Sequence, residues 1–363
     1  MNNTLNKINN IPMRTWRWLG VNNVTVDRTL PEPKEYTLNI IDEPQESDVT
    51  VKLMDKAVSS KFVPSKYEGL NAASLEQCKN NFNTGIYVNS AIDKKALKPV
   101  FITYNANEKN DLIIDNNIII AEENSEVTVV INYISQVSAF HNGLTQIYAK
   151  KGSTVNLIKV QELSDTSVHL DANIAEVEDN AVVNYIEVTL GSLFSVTNYR
   201  ADLNGYKSKG NIDSIYLGDK ERDIDINYLI NQYGKETRSN IEAKGALLDE
   251  SKKVFKGTLD FKKGSVKSKG QEEEYTILLS PHVKNESVPI LLCTEEDVDG
   301  QHAASSGRID EDRLFYIMSR GFSEAEAKKL IIEAAFNPII DKIPSDELKS
   351  NISNSIRRKL SDE

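Results

Sequence analysis

Between about Val100 and Ser280 the chain alternates short runs rich in Val and Ile with small or turn-forming residues. Asn124-Ser125-Glu126-Val127-Thr128-Val129-Val130 is echoed by Gly152-Ser153-Thr154-Val155-Asn156-Leu157-Ile158 and by Asn180-Ala181-Val182-Val183-Asn184-Tyr185-Ile186. Val127, Val155 and Val183 stand 28 residues apart, and a looser register continues to Ile212 and Ile241 at steps of 29. Alternation within each run predicts a strand with one face inward and one outward. One such unit cannot bury its inward row alone, whereas stacked units bury a continuous apolar column. Asn and Gly at the head of each run tolerate the left-handed backbone that sharp corners demand. The pattern predicts a mainly β protein whose core, residues 100–298, is a parallel β-solenoid. An antiparallel sandwich with evenly spaced strands is the alternative, and the in-register valine column argues against it.

The flanks lack this repeat. Residues 1–99 read as a cap region with some helix, Ala72 to Lys79 being its best helical stretch, and with an irregular arm around Pro31, Pro33 and Pro44. Such a cap answers a need, because the end coil of a solenoid is an exposed edge. Both tryptophans lie in Arg14-Thr15-Trp16-Arg17-Trp18-Leu19, where large buried rings are expected to pin the N-terminus. Residues 299–363 read as a helical domain. A helix from Glu311 to Ser319 is closed by Gly321. Ser323 and Glu326 form a capping box for a second helix, with Ala327, Leu330, Ile331, Ala334 and Ala335 on one face and Asn337-Pro338 closing it. Ser345 caps a third helix toward Leu360, whose basic end, Arg357-Arg358-Lys359, suits the helix dipole.

Composition narrows the function. A net charge of −11 disfavours nucleic-acid binding, which needs a positive surface to displace counterions. No apolar run is long enough to span a bilayer, and the polar stretch Met1 to Ile11 does not read as a secretory signal, so cytoplasmic residence is expected. The two cysteines, Cys78 and Cys293, offer neither a CxxC nor a zinc pattern. Cys293 ends the apolar run Val288–Cys293 and reads as a buried, inert thiol. Asp219, Glu221, Asp223 and Asp225, two apart, would share an outward row of a strand. They suit a solvated face, or acid–base work on a polysaccharide, or Ca²⁺. His141 and His169 lie one repeat apart and are expected to stack on the surface of neighbouring coils, lacking the carboxylate or thiolate companions of a metal site.

The run Asp297-Val298-x-Gly300-x-His302-x-Ala304-x-x-Gly307-x-Ile309-Asp310-x-x-x-Leu314-Phe315-Tyr316-x-x-x-Arg320-Gly321 resembles the signature of the SufB/SufD family of iron–sulfur cluster assembly scaffolds. Arg14-Thr15-Trp16 and the three-helix ending resemble it too. The resemblance is strong over about 270–345, architectural over the solenoid and weak over 20–100. It implies a right-handed parallel β-helix between a helical N-terminal region and a C-terminal helical domain. It further implies a non-catalytic subunit that pairs through its β-helix with a SufB-like paralogue and docks a SufC-type ATPase on its C-terminal helices.

The same resemblance points to particular residues. His302 matches the histidine that SufD members contribute at the pairing interface, where a nascent cluster is shared between the two chains. Imidazole is a competent iron ligand, but one histidine cannot hold a cluster, so the remaining donors would come from the partner. Cys293 is the other, weaker ligand candidate. SufB-like chains carry a cysteine at the position of Glu274 and a glutamate at that of Ala303, and SufD members often carry a cysteine at that of Gly300. The departures at Glu274 and Ala303 favour a SufD-like chain over a SufB-like scaffold acting as a homodimer, although a homodimer of the isolated protein stays open, and the one at Gly300 leaves ligation mainly to His302. Phe315, Tyr316, Arg320, Gly321 and Phe322 match the ATPase-docking surface; packing of Leu314, Phe315 and Ile317 against the solenoid is the competing reading.

Overall fold

Each repeat closes into one coil made of two strands. The computed structural model describes residues 4–15, 17–41, 48–62 and 66–360. From Val100–Ala106 to Val298–Arg308, successive strands fall alternately into a nine-stranded and an eight-stranded sheet. The ladders between coils are parallel, which excludes the sandwich. Val127, Val155 and Val183 are direct partners, as their spacing predicts. Ile212 and Ile241 pair with each other but continue the neighbouring inward column, Val129, Leu157 and Tyr185. The next coil is one residue short, so Val183 meets Gly210. The offset of two keeps Ile212 facing in, because strand faces alternate. Asn124, Gly152 and Asn180, at the head of each run, all adopt positive φ at the corner.

Inward side chains fill the space between the sheets. Val127, Val155, Val183, Ile224 and Leu259 share it with tyrosine rings, Tyr104 stacked on Tyr133 at 5.2 Å and Tyr185 on Tyr199 at 4.3 Å. The lumen is not wholly apolar. His141 and His169 are register partners, but they are buried inside it and not on the surface. Their Nδ1 atoms are 2.8 Å apart, and His141 Nε2 meets Asp115 Oδ1 at 2.5 Å. The carboxylate companion exists, contributed from the previous coil at a position offset from the histidine column. Burial and the neighbouring His141 hold the His169 imidazole well below the usual histidine range.

Both outer faces are covered. Leu5, Ile8, Val26, Leu75 and Cys78 pack on Leu112, Ile114, Leu144 and Leu170 of the nine-stranded sheet. The Cys78 thiol donates to the Asn142 carbonyl at 3.3 Å, and burial pushes its pKa well up. The N-terminal part is mixed, with strands Thr4–Ile8, Val24–Thr29 and Val49–Leu53 beside helices Lys56–Ser59 and Ala72–Asn80. Trp16 lies outside the described residues, and Trp18 is 78% exposed. The buried anchors are the aliphatic Leu5, Ile8, Val21 and Val26. Asp219, Glu221, Asp223 and Asp225 do not form one solvated row. Asp219 is buried in a turn against Arg222, at 2.6 Å, and Lys359. Asp225 is sealed under the N-terminal segment, paired with Lys256 and accepting from Asn9, both at 2.6 Å.

On the eight-stranded sheet, Ile332, Phe336, Ile339, Ile352 and Ile356 cover Val130, Ile158, Ile186, Val188 and Leu217. Ion pairs Lys342–Asp213 and Lys359–Asp219, at 2.7 and 3.1 Å, pin this layer. The helices are Glu311–Met318, Glu324–Ile340 and Asp346–Lys359, with the Ser323/Glu326 capping box formed, Ser345 as N-cap and Gly321 at φ 100°. The second helix runs through Pro338 to Ile340, past its predicted end, since Ile339 and Ile340 are buried there. Its buried face is Ala327, Ile332 and Phe336, with Leu330 at 40% exposure. Apolar residues surround that helix almost completely, so periodicity alone does not select the face.

Candidate functional site at the open end

Among the described residues, none covers the solenoid's C-terminal end. Its last two strands are Lys284–Cys293 and Val298–Arg308, each paired on one side only. The first is half-buried along its length and the second almost wholly exposed. The sheet thus continues past residue 298, and the helical part follows Arg308. An uncovered strand edge presents a row of free N–H and C=O groups, a template for pairing with another chain.

Register fixes which side chains look into the lumen here. Gly300 faces inward: a side chain there would meet Phe261 and Leu291, the latter at 2.8 Å. By alternation His302 and Ala304 share that face. His302 is therefore not in the turn joining strand to helix. It is the exposed last rung of the column Val129, Leu157, Tyr185, Ile212, Ile241, Glu272. On the opposite wall, Cys293 continues the row of the core residue Phe261. It is exposed, not buried, because no further coil lies over it; its thiol donates to the Glu295 carbonyl at 2.8 Å. His302 and Cys293 thus share the terminal rung, the histidine near mid-strand and the cysteine at a strand's end. Among the described residues no three His, Cys, Asp or Glu side chains are gathered as a metal site.

One coil below, two glutamates face inward. Glu274 is fully buried, ion-paired with Lys253 and accepting from Tyr216 at 2.6 Å. Burial lowers the Lys253 pKa despite that partner and raises the Tyr216 phenol. Glu272, the register partner of His302, is 1% exposed and neither of its oxygens has a hydrogen bond. Burial first, and then the Glu274 charge, push its carboxyl up to about 9. Sequence reading passes over Glu272 because Glu272-Glu273-Glu274 looks like a solvated run. The usable signal is alternation, which sends residues 272 and 274 inward and 273 out.

The predicted docking residues lie just beyond, around the helix Glu311–Met318. Phe315, Tyr316 and Phe322 are 74, 60 and 45% exposed, so they do not pack the helix onto the solenoid. The Arg320 guanidinium sits 5.1 Å from the Tyr316 ring centre, and Gly321 supplies the turn between helices. Tyr316 also borders a cleft of about 680 Å³ with Tyr275, Ile277, Arg313 and Leu330. An exposed aromatic cluster beside an arginine is the composition of an interface anchor.

No helix of the described residues is long and apolar enough to cross a membrane. The family model described as "SUF system FeS cluster assembly, SufBD core domain" matches residues 103–335. The chain is 28% identical over 267 residues to the iron–sulfur cluster assembly protein SufD of Bacillus subtilis, spanning 72% of this chain and 61% of that protein. It is 25% identical over 334 residues to a SufBD family protein of Mycobacterium tuberculosis, spanning 89% and 82%. It is 23% identical over 293 residues to the SufB protein of Bacillus subtilis, spanning 79% and 62%. With the family model covering the β-helix and the first turns of the helical ending, the chain belongs to the SufBD family of SUF-system iron–sulfur cluster assembly proteins, as a SufD-like member.

Proposed function

We propose that this chain is the non-catalytic SufD-like scaffold subunit of a cytoplasmic SUF complex. It pairs through the terminal coil of its β-helix with a SufB-like paralogue, and it docks a SufC-type ATPase on the surface around Phe315, Tyr316, Arg320, Gly321 and Phe322. The observation that carries this reading is the unfinished last coil: both outer faces of the solenoid are covered, and among the described residues this end shows a free edge with an imidazole on it. The nascent iron–sulfur cluster is the cargo, shared across the interface and not held by this chain alone. His302 is its ligand from this side, and Cys293 is the weaker candidate at the same rung. Glu274 speaks against a self-sufficient SufB-like role, since the position where SufB-like chains carry cysteine is here consumed in an ion pair with Lys253.

Two experiments test it. Co-expression with a SufB-like chain and a SufC-type ATPase is expected to yield one complex, and Phe315→Ala with Phe322→Ala to release the ATPase while leaving the paralogue bound. His302→Ala is expected to lower cluster assembly on the complex without dissolving it. A clean failure to co-purify with either chain, or unchanged assembly in His302→Ala, contradicts the respective part.

A further inference from the structure

Inside the lumen, nearly every buried acid has a partner. Asp115 meets His141, Asn117 and Tyr133. Asp171 is paired with Lys159 at 2.8 Å. Glu187 accepts from Tyr228 and Thr197 at 2.5 and 2.7 Å. Glu274 has Lys253 and Tyr216. Glu272 is the exception: among the described residues it is the buried acid with both oxygens unpartnered. A buried carboxyl left without a partner is costly, and such a group marks a place where water, an ion or another chain can pair with it.

The surroundings give the carboxylate room and direction. It reaches across the lumen to Gly257, where any side chain would collide with Oε1. Gly257 lies between the core residues Phe255 and Leu259, so the glycine is what admits a carboxyl at this depth. Directly above, on the open side, stands His302. Parallel neighbours in register lie about 4.8 Å apart with side chains on the same face. From adjacent rungs a carboxylate and an imidazole can bind one cation at ligand distances near 2 Å once the Glu272 carboxyl turns from Gly257 toward His302. A hard oxygen with an imidazole suits the divalent first-row ions, iron(II) among them.

We propose that Glu272 and His302 together form a two-ligand half-site for a divalent first-row metal ion, iron(II) in the SUF setting, on the terminal rung of the β-helix. This rests on the reading of His302 as a ligand and adds to it a second donor and a position for the ion. The ion takes the place of the proton on the buried carboxyl. Its remaining coordination positions face the uncovered end, where a partner chain or the growing cluster supplies donors.

The test uses the full-length chain with Co²⁺ as an anaerobic spectroscopic probe, titrated into wild type, Glu272→Gln and His302→Ala, with melting curves alongside. Wild type is expected to develop a ligand-field band and a higher melting midpoint with Co²⁺. Each variant is expected to bind at least about tenfold more weakly, the lower bound seen even for outer-shell changes. Glu272→Gln without metal should melt no lower than wild type, since it replaces an unpartnered buried carboxyl by an amide of the same shape; this shows that weakened binding is not misfolding. Co²⁺ binding by Glu272→Gln as tight as wild type, with His302→Ala weakened, removes Glu272 and leaves the histidine reading intact. Unchanged binding in His302→Ala contradicts both. No binding by wild type overturns the half-site, while His302→Ala in the cluster assembly assay still judges the ligand reading separately.

Discussion

The two ends of the β-helix are built to opposite specifications. At the N-terminal end the antiparallel strand Val49–Leu53 terminates the nine-stranded sheet, and Tyr36 and Ile40 lie buried against Val100, Ile102 and Tyr104. The Tyr36 hydroxyl donates to the Asn105 carbonyl at 3.0 Å, so even the edge of the eight-stranded sheet is occupied there. At the C-terminal end nothing equivalent among the described residues lies over Lys284–Cys293 or Val298–Arg308. A stack of coils needs both ends protected against unwanted pairing. One end protected by the chain's own residues and one left bare is the arrangement expected of a subunit that another chain completes.

The largest expected effect lies in the sealed coils. Lys253 and Glu274 are both fully buried and paired. Lys253→Met leaves the buried Glu274 carboxylate without its cation and is expected to lower stability by about 3–5 kcal/mol, measured by urea unfolding. The double change with Glu274→Leu should recover most of that loss. A single variant as stable as wild type would mean that the lumen admits water at this depth.

Next comes a matched pair one coil apart. Leu259 and Leu291 are register partners, the first fully buried and the second only partly. Leu259→Ala is expected to cost about 2–5 kcal/mol. Leu291→Ala should cost about 1 kcal/mol or less in the free chain, closer to a surface change. Equal costs would erase the contrast between sealed and open coils.

A third effect depends on pH. Burial and His141 hold the folded-state pKa of His169 below its unfolded value; Asp171 and Lys159 are the other charged neighbours. With the folded value depressed, protons favour the unfolded chain. The associated stability is present above about pH 6.5 and is lost as pH falls below it. His169→Gln is expected to flatten the loss of stability between pH 7 and pH 5, read as the shift in urea midpoint. A variant as acid-sensitive as wild type would place the titrating group elsewhere.

The smallest stability effect is predicted on the helix Glu311–Met318. Phe315→Ala should change unfolding by no more than about 0.5 kcal/mol, because the ring is 74% exposed. A loss of several kcal/mol would show that the ring packs, and that the surface is not free for an ATPase.

Much of this was legible in the chain. The valine spacing gives the coil, the Asn and Gly heads give its corners, and Ser323 with Glu326 gives a helix start that the structure repeats atom for atom. What escaped has a common cause. The solenoid's inside is polar in places, so His141, His169 and Glu272 look like surface residues until register assigns them a face. Trp18 and Cys293 fail in the opposite direction: residue type suggests burial, but both are exposed. Local pattern reports the period of a strand, whereas burial depends on whether another coil follows.

Backbone amide exchange over Val298–Arg308 tests the central claim most directly, measured on the free chain and on its complex with a SufB-like paralogue. The account predicts fast exchange of the outward-facing amides in the free chain and strong slowing in the complex, with little change in the buried strands Glu126–Ser135 and Asp223–Gln232. Exchange already slow in the dilute free chain, or unaltered in the complex, would contradict it.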